Sequence, residues 1–332
     1  MNVLITGSCG FIGYFVSLEF LRNSHIVFGV DNFNAYYMPS LKKFRFSKLK
    51  NFENYKHFSL DLSSKKSMRI LFDYLKSQRI DLVVHLAAYP GVKYSLQNPY
   101  KYIKNNIIAT QNLFEMIRNA ENFEKRVVLA STSSVYSGNP LPYREDLKIA
   151  EFRSPYAYTK FACENIAKFY HTVYGFSFVV LRYFTVYGPY NRPDMAVYKF
   201  FESIIKNRPI YIRGKEIKRD FTYVEDVSKA TYNSVKLFDA NRIFEIINIG
   251  SDNPVKVTYL VEMMFKLVSK ETKVIIGEYA YFEPRETWAD ITKARKLIGF
   301  EPSTNIHENL QKTYCSLLEF WQSGQFKERR GE

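Results

Sequence analysis

Short apolar runs alternate along this chain with longer stretches in which apolar residues recur three and four positions apart. The runs at 2–6 (NVLIT), 26–30 (IVFGV), 56–60 (KHFSL), 81–86 (DLVVHL), 126–131 (RVVLAS) and 177–183 (SFVVLRY) read as strands. Between them, 11–22, 65–77, 101–118 and 156–173 carry the helical spacing. Strands alternating with helices of this length predict βαβ units and a parallel sheet, hence an α/β fold. Further on the alternation weakens, and helices are predicted at 194–206, 225–238, 257–269 and 305–322. No internal repeat or low-complexity linker interrupts the chain. The expected organisation is residues 1–185 mainly as the sheet domain and 186–332 mainly as a smaller lobe, with some later segments returning to the first.

Composition narrows the class. With 332 residues, 46% of them hydrophobic, the chain can bury a sizeable core. No run of about 18 apolar residues appears, so a membrane span is not expected. Nor does a basic start precede an apolar stretch, and the opening "MNVLITG" already reads as a strand, so a cytoplasmic location is expected. Three scattered cysteines, Cys9, Cys163 and Cys315, argue against a disulfide framework, and metal-ligand spacings are missing. The net charge of +14 comes from dispersed Lys and Arg without a stripe. That pattern favours a polyanionic small molecule over nucleic acid as partner.

Candidate chemistry starts at the first strand-to-helix junction, "TGSCGFIG", which holds Gly7, Gly10 and Gly13. Glycines there permit a tight turn and a backbone close to a pyrophosphate at a helix N-terminus. Asp31 ends the second strand, where a carboxylate accepts both hydroxyls of an adenosine ribose and repels a 2′-phosphate, so NAD is expected rather than NADP. Asp61 and Leu62 follow the third strand, near the expected adenine edge. "HLAA" (85–88) ends the fourth, and its small Ala87 and Ala88 let a dinucleotide pass close to the backbone. His85 itself reads as a satisfied strand-end histidine, and Cys9 as a small filler.

The second constellation pairs "ASTSSVYS" (130–137) with "SPYAYTK" (154–160). Tyr156 and Lys160, four apart, rise from one helix face, whereas Tyr158 points elsewhere. A cation beside the phenol would lower its pKa and make it a usable base, with the Thr132 hydroxyl bonded to it. No Asp or Glu follows Thr132 before Glu145.

Together with "VDNFNAYYMPSLK" (30–42), "AAYPGVKYSLQNPYKYIKNN" (87–106), "LRYFTVYGPYNRPDMAVYKF" (181–200) and "KRDFTYVEDV" (218–227), these motifs resemble the extended short-chain dehydrogenase/reductase family. Within it, nearly the whole chain is similar to the UDP-glucuronate 4-epimerases. The resemblance implies a Rossmann-type doubly wound parallel sheet with a smaller C-terminal α/β substrate lobe. It also implies NAD-dependent 4-epimerisation of a UDP-hexuronic acid through a transient 4-keto sugar. Tyr156 would be the base, Lys160 would hold the nicotinamide ribose and tune Tyr156, and Thr132 would orient O4. The cofactor set would comprise Gly7, Gly10, Phe11, Ile12, Gly13, Asp31, Asn32, Asp61, Leu62, Leu86, Ala87, Ala88 and Asn106, with Tyr156 and Lys160. Ser133, Ser134, Thr185 and Arg192 would grip the uronate carboxylate, Lys93 would lie near the sugar, and Arg219 and Arg285 would meet the substrate pyrophosphate.

Three departures from the family pattern stand out, the first two at the sugar end and the third at the nucleotide end, beside Arg285. Lys93 stands where arginine is usual, Ser137 replaces a glycine, and a "GDV" element is missing before "ETWAD". A neutral UDP-hexose 4-epimerase, a UDP-uronate decarboxylase of the same fold and a non-catalytic NAD-binding protein remain as alternatives. The family further implies a homodimer formed through the helices at 101–118 and 156–173.

Overall fold

The computed structural model describes residues 1–240 and 242–325. Its strands are β1 (Asn2–Thr6), β2 (Ile26–Val30), β3 (Tyr55–Phe58), β4 (Leu82–His85), β5 (Arg126–Thr132), β6 (Ser177–Tyr183), β7 (Thr185–Tyr187), β8 (Ile210–Arg213), β9 (Lys218–Tyr223), β10 (Phe244–Ile249), β11 (Pro254–Lys256) and β12 (Val274–Gly277). The α-helices are α1 (Phe11–Arg22), α2 (Pro39–Leu49), α3 (Lys65–Leu75), α4 (Val92–Gln97), α5 (Pro99–Tyr102), α6 (Ala109–Arg118), α7 (Pro155–Tyr174), α8 (Ala196–Ile205), α9 (Val224–Asn233), α10 (Val257–Val268), α11 (Thr292–Ile298) and α12 (Ile306–Gln322).

Seven strands form one parallel sheet in the order β10-β6-β5-β4-β1-β2-β3. Its central strands are covered on both faces, which is why they read as unbroken apolar runs rather than alternating ones. Val3, Ile5, Val84 and Val128 point into one core, and Leu4, Val83, Val127 and Leu129 into the other. Because β1 sits between β2 and β4, the chain leaves it in both directions, and a crevice opens where the connections diverge.

The second lobe has its own core around Phe201, Leu260, Met264 and Leu310. It carries a three-stranded sheet, β11-β9-β7, and a parallel pair, β12-β8. Strand β10, "FEIINI", crosses back to close the large sheet beside β6, and α9 packs on α1.

Several elements differ from the pattern reading. Helix α2 is unannounced because its buried face mixes Leu41, Phe44 and Leu49 with Lys42 and Arg45, which blurs the apolar period. The predicted helix 101–118 is instead α5, a π-helical turn over Ile103–Ile108, and α6. The predicted helix 225–238 ends as α9 at Asn233 and continues as a 3-10 turn over Ser234–Asp239.

Candidate active site

A cleft of about 330 Å³ opens at the C-terminal ends of β1, β4, β5 and β6. One end of it is the glycine loop. Gly7 has φ +72°, and a Cβ on it would stand 2.9 Å from the Ala87 nitrogen. A Cβ at Gly13 would lie 2.0 Å from the Gly7 oxygen, so helix α1 can approach the loop only as glycine. Gly10 caps α1 without a side-chain hydrogen bond, leaving the first-turn N–H groups for an anion. Phe11, Ile12, Asn32, Asp61, Leu62, Leu86, Ala87 and Ala88 line the same cleft.

Asp31 is buried at the end of β2, where its Oδ1 accepts the Phe33 N–H at 2.8 Å. Lys42 from α2 places its Nζ 3.7 Å from that oxygen, with both side chains nearly sealed from solvent. The donor set therefore fits a dinucleotide: free N–H groups for the pyrophosphate, a carboxylate for ribose hydroxyls and small residues along the path. Asn106 departs from its expected place. Its amide bonds the Tyr89 backbone in both directions and donates to Thr159 Oγ1 at 3.0 Å, so it fixes the loop after β4 instead of lining the cleft. The π-helical turn carries it there, an irregularity typical of sites where helices are re-aimed.

The reacting end comes from β5 and α7. Ser154 caps α7 by accepting the Ala157 N–H at 3.2 Å, and Pro155 opens the first turn. That start sets the register. Tyr156 and Lys160 face the cleft, with Lys160 only 4% exposed, while Tyr158 is 49% exposed on the outside. Thr132 ends β5, and its hydroxyl donates to Ser134 Oγ at 3.2 Å. Ser133, Ser134, Thr185 and Arg192 line the cleft beside it.

Burial pushes the Tyr156 phenol up, while the Thr132 hydrogen bond and the Arg192 charge pull it back. The sequence reading gave that lowering to Lys160; the larger influences in the structure are Thr132 and Arg192. Burial lowers Lys160 itself, opposed by Cys163 and by Glu164. His85 is buried with Thr6 Oγ1 at 2.7 Å and Thr110 Oγ1 at 2.9 Å, and burial depresses its pKa to about 3. It stays a neutral strut. Burial also drives the Cys9 thiol up to about 12, which suits a filler and not a nucleophile.

Three expected substrate residues lie away from this cleft's lining. Lys93 is exposed on α4. Arg219, on β9, donates Nη1 to the Lys218 and Arg285 oxygens at 2.9 and 3.3 Å and faces Glu283 at 3.5 Å. Arg285 is exposed and lies 5.2 Å over the Tyr279 ring. Ser137, in place of glycine, leaves the loop intact: its hydroxyl donates to the Ser134 oxygen at 3.1 Å, and the left-handed φ of +90° falls on Gly138. Two residues the sequence reading missed stand beside Arg192, namely Tyr36 and Asp194. Asp194 lay in plain view two positions along the chain, but only geometry shows that the pair closes on itself.

The model of the NAD dependent epimerase/dehydratase family matches residues 3–250. The chain is 40% identical over 312 residues to a UDP-glucuronate 4-epimerase of Thermodesulfobacterium geofontis, covering 93% of this chain and 94% of that protein. It is 37% identical over 328 residues to UDP-glucuronate 4-epimerase 1 of Arabidopsis thaliana, covering 94% and 75%. The crystal structure of UDP-glucuronic acid 4-epimerase from Bacillus cereus in complex with UDP-glucuronic acid and NAD is similar at a TM-score of 0.89 and 33% identity, covering 96% and 99%.

Proposed function

The chain belongs to the NAD dependent epimerase/dehydratase family, and from that premise we infer that it interconverts UDP-glucuronate and UDP-galacturonate by NAD-dependent 4-epimerisation. One observation carries the reading: Tyr156, Lys160 and Thr132 share a cleft with a hydroxyl cluster and a guanidinium, next to a dinucleotide-shaped loop. When bound, NAD supplies a hydride acceptor that returns the same hydride, so turnover leaves no net redox change.

Tyr156 takes the proton from the sugar O4 and later gives it back. Thr132 orients O4 and holds the phenol below the pKa that burial alone would impose. Lys160 holds the nicotinamide ribose. Ser133, Ser134, Thr185 and Arg192 receive the uronate carboxylate, a donor set that suits an anion better than a hydroxymethyl group. Holding the carboxyl group also keeps the 4-keto sugar, a β-keto acid, from losing CO2. Arg219 and Arg285, outside the cleft on the second lobe, are assigned to the substrate pyrophosphate. Residues 1–185 then act mainly as the NAD-binding domain and 186–332 mainly as the nucleotide-sugar lobe; residues 326–332 lie outside the described ones.

Among the described residues no helix is long and apolar enough to cross a membrane. We place the enzyme in the cytoplasm as a homodimer. Ile103, Ile108, Tyr158, Phe169 and Val173 leave an apolar outer face on the helices at 103–118 and α7 that supports the dimer. The test incubates purified protein, sized by light scattering, with UDP-glucuronate, UDP-glucose and UDP-N-acetylglucosamine separately and resolves products by chromatography. UDP-galacturonate from the first is expected. Turnover of the neutral sugars alone would sink the uronate reading, pentose accumulation would point to a decarboxylase, and a monomer would remove the dimer.

A further inference from the structure

Arg192 is not an isolated cation in the cleft. Its Nε donates to Asp194 Oδ1 at 3.0 Å and its Nη2 to Asp194 Oδ2 at 2.7 Å, a two-point fork along one edge of the guanidinium. The Tyr36 hydroxyl donates to the same Oδ2 at 3.3 Å, and its ring centre lies 5.8 Å from the guanidinium carbon. Space for that hydroxyl exists because residue 91 is glycine at φ +91°; a Cβ there would stand 2.3 Å from the Tyr36 oxygen. The loop after β2, the loop before α4 and the segment before α8 thus converge on one carboxylate. Burial alone would push Asp194 up, but the Arg192 guanidinium outweighs it and holds the carboxyl below its ordinary value. The ion pair with Arg192 thus favours the ionised form of Asp194.

Two carboxylates cannot occupy the same edge of one guanidinium. The side-chain bonds of Arg192 use Nε and Nη2, so the edge bearing Nη1 is the one left for the cleft that Arg192 lines. We propose that Asp194, supported by Tyr36, is a positioning residue for uronate selectivity: it clamps one edge of Arg192 so that the Nη1 edge faces the carboxylate at the sugar C5. This rests on the uronate reading above. It also adds something to it, because an ion pair close to neutral attracts no carboxylate by net charge. Selectivity then comes from the aim of the donors.

Binding to the NAD-loaded protein, measured by calorimetry in a Tyr156→Phe background whose turnover is slowed about 10³-fold, separates the possibilities. For Asp194→Asn, the dissociation constant for UDP-glucuronate is expected to rise by about tenfold while that for UDP-glucose changes by less than about twofold. Tyr36→Phe, which removes one hydroxyl and little packing, should weaken UDP-glucuronate alone by about threefold. With Arg192→Met already present, Asp194→Asn should add nothing. Equal weakening of both sugars would make Asp194 merely structural and overturn the proposal. Tighter UDP-glucuronate binding in Asp194→Asn would overturn it too, marking Asp194 as a competitor of the substrate carboxylate. If the background protein prefers UDP-glucuronate and Asp194→Asn leaves that preference unchanged, only this inference fails. If the background shows no such preference, the uronate reading itself fails.

Discussion

At the scale of single residues, the division of labour within "YAYTK" follows from helix geometry. Positions four apart share a face and positions two apart do not, and α7 turns half-buried Tyr156 and buried Lys160 into the cleft while leaving Tyr158 outside. A phenol raised by burial is a poor base until hydrogen bonding and positive charge restore it, so its neighbours matter as much as its own oxygen. Tyr156→Phe should keep NAD bound and lose turnover by about 10³-fold, in line with removal of a general base. Tyr158→Phe should run at the parental rate. Steady-state kinetics with absorbance of the retained cofactor checks both, and an inactive Tyr158→Phe would refute the helix register.

At the scale of elements, the site depends on how α7 is fastened to the sheet. Glu164, two turns beyond Tyr156, accepts the Ser131 hydroxyl at 2.5 Å and a fork from Arg182, Nε at 3.0 Å and Nη2 at 2.7 Å. Both charged side chains are under 5% exposed, and they join α7 to β5 and β6. Breaking such a pair by neutralising one partner leaves a buried charge behind. Glu164→Gln should therefore cost about 3 kcal/mol of stability, read as a shifted midpoint in urea unfolding. A cost of only a few tenths would mean that water reaches Arg182. Helix α2 fastens the opposite wall. Its fully buried Arg45 donates to the Cys9 oxygen at 3.1 Å, the Tyr37 hydroxyl at 2.7 Å and the Tyr190 oxygen at 2.6 Å. The glycine loop, the loop after β2 and the stretch leading to Arg192 are thereby held to one guanidinium.

At the scale of the whole molecule, the central sheet carries a built-in acid sensitivity. Folded His85 titrates at about 3 because burial disfavours its charged form, whereas an unfolded histidine titrates near pH 6.5. Below about pH 6.5 the unfolded chain binds the extra proton, so stability is lost as pH falls, at about 1.4 kcal/mol per pH unit. Comparing the parent with His85→Gln, the parent's advantage in unfolding free energy should shrink at that slope between about pH 6.5 and pH 5. A constant difference would show that His85 accepts a proton within the fold.

Much of this protein is legible in its sequence, for reasons that are local. Strands buried on both faces leave apolar runs, helices leave a period of 3.6, and a glycine loop between them can be read without knowing what it touches. The spacing of Tyr156 and Lys160 and the carboxylate ending β2 belong to the same class, since each lies within one element or its end. Pattern failed where burial was not apolar. Helix α2 escaped notice because it buries Lys42 and Arg45, and the π-helical turn that turns Asn106 from the cleft has no period of its own. Tertiary structure alone decided which remote segments meet. It set Lys42 against Asp31, joined Glu164 to Arg182, and brought Tyr36 against Asp194. Such pairings depend on how whole elements cross in space, and a periodicity along the chain carries no information about that crossing.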